Sequence, residues 1–204
     1  MRSRCTGRFP GAAICKRKAA ISTEFKTNLM DEASMERTLR RLAHEIVEKN
    51  RGVQNLCLIG ILRRGVPLAQ RLAANIQMIE NAEIPVGTLD ITLYRDDISQ
   101  LGDQATVNST HVPFEISGKT VVLVDDVLYT GRTARAAMEA VIALGRPAVV
   151  QLCTLVDRGH RELPVCANFV GKNFPTARSE MVRVCMPEYD DCMKVDLYSV
   201  DRDW

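Results

Sequence analysis

The sequence predicts an α/β domain: a central parallel sheet flanked by helices, with a small hood built from the end of the chain. Three observations predict it. Apolar runs at 56–61, 120–124 and 148–156 alternate with helical repeats at 35–47, 68–76 and 133–144, and strands separated by helices pair in parallel. The runs are continuously apolar, as strands covered on both faces are. After Asp157 the pattern breaks into a charged, loop-like stretch through Thr176, followed by strand candidates at 181–186 and 196–200. A chain of 204 residues suffices for one domain with its own core.

The elements follow in order. Residues 1–28 have no sustained period and are rich in Arg, Lys, Gly and Ala, which reads as a basic, disordered extension ahead of a domain at 29–204. Asp31 offers an N-cap, and Met35, Leu39, Leu42, Ile46 and Val47 recur at helical spacing up to a stop at Gly52. The strand Leu56–Ile61 runs into the tight loop Arg63-Arg64-Gly65 and a helix carrying Leu68, Leu72 and Ile76. Val86–Tyr94 reads as a strand. The polar stretch from Arg95 to Val112 is too long for a plain connection and reads as a lid or a disordered segment. Thr120–Val124 is a buried strand, Thr133–Leu144 an Ala-rich helix closed by Gly145-Arg146-Pro147, and Ala148–Val156 another strand. No repeat or linker divides the chain.

Composition narrows the function classes. Hydrophobic residues at 46% and charged residues at 25% exclude disordered, collagen-like and coiled-coil chains. Seven of the 27 basic residues fall in the first thirty positions against one acid, Glu24. The rest is mildly acidic, so a globally basic nucleic-acid binder is not indicated. Seven cysteines with no C-x-x-C pair and no His at ligand spacing disfavour a disulfide framework and a zinc site, and fit a reducing cytoplasm. No apolar run approaches the length of a membrane span or a signal-peptide core.

The segment 121–133, V-V-L-V-D-D-V-L-Y-T-G-R-T, carries the chemistry. It reads as a buried strand, two acids at its end, and a Thr/Gly loop that opens a helix. Ligands of open parallel sheets bind beyond the carboxyl ends of the strands. A loop that presents backbone N–H groups at a helix N-terminus cradles anions, with Thr130 and Thr133 adding hydroxyl donors and Gly131 allowing close approach. Asp125 and Asp126 would repel a phosphate, so they must face another part of the same ligand, and sugar hydroxyls are their natural partners. A phosphorylated pentose satisfies both halves. The competing reading is that the acids cap the next helix or bind a divalent ion.

This segment resembles the 5-phosphoribosyl 1-pyrophosphate (PRPP) motif of type I phosphoribosyltransferases. The strings R-L-A-H-E-I (41–46), D-I-T-L-Y-R-D-D (90–97), V-D-D-V-L-Y-T-G-R-T (124–133), L-V-D-R-G-H-R-E-L-P (155–164) and V-G-K-N (170–173) resemble one branch, the bifunctional PyrR proteins. The resemblance spans residues 31–200 and implies the type I phosphoribosyltransferase fold. It implies uracil phosphoribosyl transfer from PRPP, with Mg²⁺ bound alongside PRPP, together with control of pyrimidine operons by UMP-dependent binding to the mRNA leader. An enzyme without RNA regulation is the alternative.

Carried over residue by residue, the resemblance puts the 5′-phosphate on Thr130, Gly131, Arg132 and Thr133, within a PRPP loop that includes Val127, Leu128 and Tyr129. It puts the ribose hydroxyls on Asp125 and Asp126, and pyrophosphate on Arg63, Arg64 and Gly65. Arg95, at the head of the lid, joins Asp125 and Asp126 as a catalytic candidate. Tyr129 stands where purine enzymes often have an acid, which favours a pyrimidine. An RNA face is expected from Arg41, His44, His160, Arg161 and Lys172, in a homo-oligomer that leaves it open. Two positions depart from the branch: Arg63 adds a second cation beside Arg64, and Cys166 stands where the R-E-L-P-x-R pattern has an arginine.

Overall fold

The computed structural model describes residues 22–94 and 110–201. Expectations for residues 1–21 and for the lid at 95–109, Arg95 included, lie outside the described residues.

The chain runs β1 (Ser22–Met30), α1 (Glu32–Asn50), β2 (Leu56–Ile61), α2 (Gly65–Glu80), β3 (Val86–Leu89), a 3-10 turn (Thr92–Tyr94), β4 (Thr120–Leu128), α3 (Arg132–Leu144), β5 (Val149–Asp157), β6 (Phe169–Asn173), β7 (Glu180–Cys185), α4 (Pro187–Asp190) and β8 (Lys194–Asp201). Five strands form a parallel sheet in the order β3-β2-β4-β5-β6. From β2 the chain winds outward to β3, and from β4 it winds the other way to β5 and β6. The direction therefore reverses between β2 and β4, the place where such sheets open a crevice for ligands.

Two apolar layers cover the sheet. Met35, Leu39, Leu42 and Ile46 of α1 and Leu68, Leu72 and Ile76 of α2 pack with Leu58, Val122, Val124 and Leu155 on one face. Ala134, Ala137, Ala140 and Val141 of α3 pack with Ile59, Val121 and Leu123 on the other. Asp31 caps α1 as expected, its Oδ1 accepting the Ser34 N–H at 2.8 Å.

Three features differ from the sequence reading. β1 begins at Ser22 and pairs antiparallel with β8, which in turn pairs with β7. Residues 22–28 therefore belong to the hood sheet, and the boundary at residue 28 falls inside a strand. The strand carries few apolar residues because its side chains from Thr23 to Asn28 are exposed, and its place rests on backbone pairing that no hydrophobic period reports. Secondly, Val86–Tyr94 is a strand only to Leu89. Asp90 turns the chain, its Oδ1 accepting the Thr92 N–H at 2.8 Å. Thirdly, the stretch expected to be loop-like through Thr176 contains β6, a sheet strand whose Lys172 and Asn173 are exposed and hide its apolar pattern.

Candidate active site

A cavity of about 380 Å³ opens at the reversal point, lined by Arg63, Arg64, Asp90, Asp125, Asp126 and Thr133 among others. Two loops meet there, one after β2 and one after β4.

In the first, residues 62–64 join β2 to α2, and the Leu62–Arg63 peptide is cis. Gly65 brings the start of α2 against β4 so closely that a Cβ would stand 2.2 Å from the Val124 carbonyl oxygen. Only glycine allows this approach. Arg64 reaches the hood, donating to Asp190 Oδ1 and Oδ2 at 3.0 Å from Nη2 and to Oδ2 at 3.3 Å from Nε. Asp190 also accepts from Arg183 Nη2 at 3.0 Å and from the Met186 N–H at 3.2 Å. Its burial would lift the carboxyl, but the Met186 N–H, Arg183 and Arg64 together bring it below the ordinary carboxylate range.

The second loop, Tyr129 to Gly131, leads into α3. Gly131 adopts φ 91°, a conformation that favours glycine. Like α2, α3 starts without a cap from the side chain of its N-cap residue and without an acid in its first turn; the Arg132 N–H donates to Thr130 Oγ1 at 3.4 Å, and the dipoles of both helix starts favour an anion. The loop is braced from outside. Arg161 Nη1 donates to the Tyr129 carbonyl at 2.7 Å and Nε to the Val165 carbonyl at 2.9 Å, while Nη2 pairs with Asp157. The Glu162 and Leu163 N–H groups donate to the Thr130 carbonyl at 2.9 and 3.1 Å. The buried Arg158 lays its guanidinium over the Tyr129 ring, 4.1 Å from the centroid, and donates to the Ala177 and Glu180 carbonyls.

Between the loops stand Asp125 and Asp126, inside β4 rather than beyond its end. Neither caps α3. Asp125 Oδ1 accepts the Asp126 N–H at 3.0 Å and Asp126 Oδ1 the Val127 N–H at 2.8 Å. Burial, and then the charge of Asp126, push the Asp125 carboxyl well above its ordinary value. Burial also raises Asp126, against the opposing pull of its backbone bond and Arg64. Donors or a positive charge brought to such a pair would favour its ionised form. Asp90, 7% exposed, lines the same cavity, and its Oδ2 has no hydrogen-bond partner among the described residues.

The structure thus brings Arg63, Arg64, Gly65, Asp125, Asp126, Val127 and the loop to Thr133 around one opening. Asp90, Arg158 and Asp190 were not expected there. Asp90 and Arg158 lie inside the quoted strings, but nothing in a string tells a cavity-lining acid or a buried arginine from a surface one. The RNA candidates fall in two places. Arg41 donates to the Val170 and Gly171 carbonyls and pairs with Glu45. Lys172 Nζ donates to Ser34 Oγ at 3.3 Å, and His44 is exposed on the same helix α1. His160 and Arg161 lie instead behind the second loop, where His160 Nε2 bonds the Thr176 carbonyl oxygen.

A parallel sheet reversed over paired acids, with two helix N-termini beside them, has the chemistry that would suit a phosphorylated sugar. The family model for the phosphoribosyl transferase domain matches residues 26–182, and the chain belongs to that family. Within it, the chain is 55% identical over 175 residues to the bifunctional protein PyrR of Caldicellulosiruptor saccharolyticus, covering 86% of this chain and 96% of the relative. It is 57% identical over 174 residues to the bifunctional protein PyrR of Thermus thermophilus, covering 85% and 96%. Solved structures share the fold: a hypoxanthine-guanine phosphoribosyltransferase of Bacillus anthracis (TM-score 0.65, 21% identity, 87% of this chain and 99% of that one). The hypoxanthine phosphoribosyltransferase of Trypanosoma cruzi does so as well (TM-score 0.66, 18% identity, 87% and 98%).

Proposed function

We propose that the chain transfers the 5-phosphoribosyl group of PRPP to uracil, giving UMP and pyrophosphate, and that it controls pyrimidine genes by UMP-dependent binding to the mRNA leader. The observation that carries the enzymatic half is the Asp125–Asp126 pair set between two helix N-termini. The bond from the anomeric carbon to pyrophosphate breaks, the bond to uracil N1 forms, and the N1 proton passes to the departing pyrophosphate or to water. Asp125 and Asp126 accept from the ribose hydroxyls and stabilise the positive charge that develops on the sugar. Thr130, Thr133 and the α3 amides hold the 5′-phosphate. Arg63, Arg64 and the α2 amides receive the departing pyrophosphate. Asp90 Oδ2 would be the acceptor for Mg²⁺ carried with PRPP, or for its waters, and the ion would neutralise charge on the pyrophosphate. Tyr129 lies under Arg158 in the position where an acid would serve a purine, which supports a pyrimidine.

The bifunctional name of the curated relatives favours enzyme plus regulator over enzyme alone. Arg41, His44 and Lys172 form the centre of the proposed RNA face, with half-buried Phe174 beside Lys172, its ring centroid 5.9 Å from Nζ, as an aromatic that an RNA base can use. Arg161, engaged with the PRPP loop, lies apart from that face with His160; it pairs with Asp157 of β5, which stands beside Asn173 of β6 in the register, and this is the route by which UMP would act on the face. Exposed Ile142, Leu144 and Val149 offer a surface for the homo-oligomer. Purified protein should make UMP from uracil, PRPP and Mg²⁺, and should bind leader RNA more tightly with UMP, less tightly as salt rises. Better use of hypoxanthine or orotate than uracil would overturn the enzymatic reading. RNA binding that is sequence-indifferent and blind to UMP would overturn the regulatory one.

A further inference from the structure

Arg158 follows β5 and is 6% exposed. A guanidinium taken out of water needs partners on all sides, and Arg158 finds them in two separate parts of the molecule. One face lies over the half-buried Tyr129 ring of the second loop, 4.1 Å from its centroid. The donors reach the hood: Nε donates to Thr176 Oγ1 at 3.0 Å, and Nη2 to the Ala177 and Glu180 carbonyls at 3.1 and 2.6 Å. Glu180 is the first residue of β7, and its carboxylate accepts the Ala177 N–H at 2.7 Å and pairs with Lys26 of β1. From there β7 runs for six residues, paired throughout with β8. The helix that follows it carries Asp190, which holds Arg64 of the first loop. One strand of the hood thus reaches both loops, Tyr129 through Arg158 at its start and Arg64 through Asp190 beyond its end.

We propose that β7 is a strut which sets the spacing of the two loops before PRPP arrives, with Arg158 the positioning residue that joins it to the second loop. This rests on the reading that the second loop takes the 5′-phosphate and the first the pyrophosphate. PRPP carries both groups and must meet both loops at once, so any slack in their spacing has to be removed when it binds. UMP and pyrophosphate each meet one loop and are indifferent to the spacing. Arg161 and the Glu162 and Leu163 amides hold the carbonyls of the second loop without help from Arg158. Losing the contact between Arg158 and Tyr129 therefore leaves the cradle formed and frees its position against the hood. A residue that only stabilised the fold or the cradle would act on UMP as strongly as on PRPP.

The test is to measure calorimetrically, on the full chain and its variants, the Kd of PRPP, of UMP and of pyrophosphate, each with Mg²⁺. R158M, which removes both the ring contact and the bonds to the hood, should weaken PRPP by about tenfold or more and leave UMP and pyrophosphate within about threefold of the parent. R158K, which keeps a cation and a donor, should fall between. Y129L removes the other half of the contact from a half-buried position, and should reproduce the R158M pattern; it decides the matter if R158M does not fold. The double variant R158M/Y129L should weaken PRPP no further than R158M, because both changes break one link. Equal weakening of UMP and PRPP in Y129L, or effects that multiply in the double variant, would overturn the strut. A parent chain that binds neither UMP nor pyrophosphate would overturn the assignment of the two loops, and the strut with it.

Discussion

The two loops at the mouth of the sheet follow neighbouring parallel strands and open helices of similar build, yet they are held in opposite ways. The loop after β4 is braced by its own surroundings: Arg161 and the Glu162 and Leu163 amides hold its carbonyls, and Arg158 covers Tyr129. The loop after β2 is tied across the molecule, Arg64 to Asp190 in the hood. Under the proposed assignment the difference matches what each loop would hold. The 5′-phosphate is present in both PRPP and UMP, so its cradle could stay fixed throughout the reaction. Pyrophosphate would be bound and then released, and Arg64 has a protein carboxylate to return to. On that reading the first loop exchanges partners and the second keeps its shape.

The largest effect should come from the acids between the loops. Changing Asp125 and Asp126 together to Asn should lower kcat by about a hundredfold or more, measured as UMP formation. Stability should move the other way. Both carboxyls are raised in the folded chain, so their contribution to stability is present below the unfolded value and is lost as pH rises through the folded ones. Above the ordinary 3.8, the melting temperature of the ligand-free protein should decline with pH more steeply than that of the variant. A variant that melts lower than the parent near neutral pH would show the acids to be structural.

A smaller effect should separate the supports of the two loops. A chain starting at Met30 lacks β1, exposes the edge of β8 and loses the Lys26–Glu180 ion pair. Its melting temperature should fall by about 5–10 °C, and, with Arg64 tied to the hood at Asp190, PRPP binding should change more than UMP binding if the proposed assignment holds. A chain starting at Ser22 should keep both. Equal melting of the two truncations would return residues 22–28 to the dispensable extension.

Much of this was legible in the sequence, for identifiable reasons. β2, β4 and β5 are buried on both faces and so carry unbroken apolar runs, and the PRPP loop is a compact string in which each residue type has a job. β1 and β6 were missed because a strand covered on one face, or held by backbone pairing alone, leaves no apolar signature. Asp190 escaped because its role depends on bringing Arg64 and Arg183, distant in the chain, to one carboxylate. Arg161 reads as a surface cation in sequence; its guanidinium acts on the loop because the turn at Gly159, φ 81°, folds it back.

The division of the substrate between the loops is tested most directly by measuring calorimetrically how PRPP and UMP bind to two variants. Replacing Thr130 and Thr133 with Ala should weaken both ligands by a similar factor, since both carry the 5′-phosphate. Replacing Arg63 and Arg64 with Ala should weaken PRPP by about tenfold to a hundredfold, the range for lost charge-assisted bonds, and leave UMP nearly unchanged. Arginine variants that weaken UMP as much as PRPP, or threonine variants that spare UMP, would contradict the assignment.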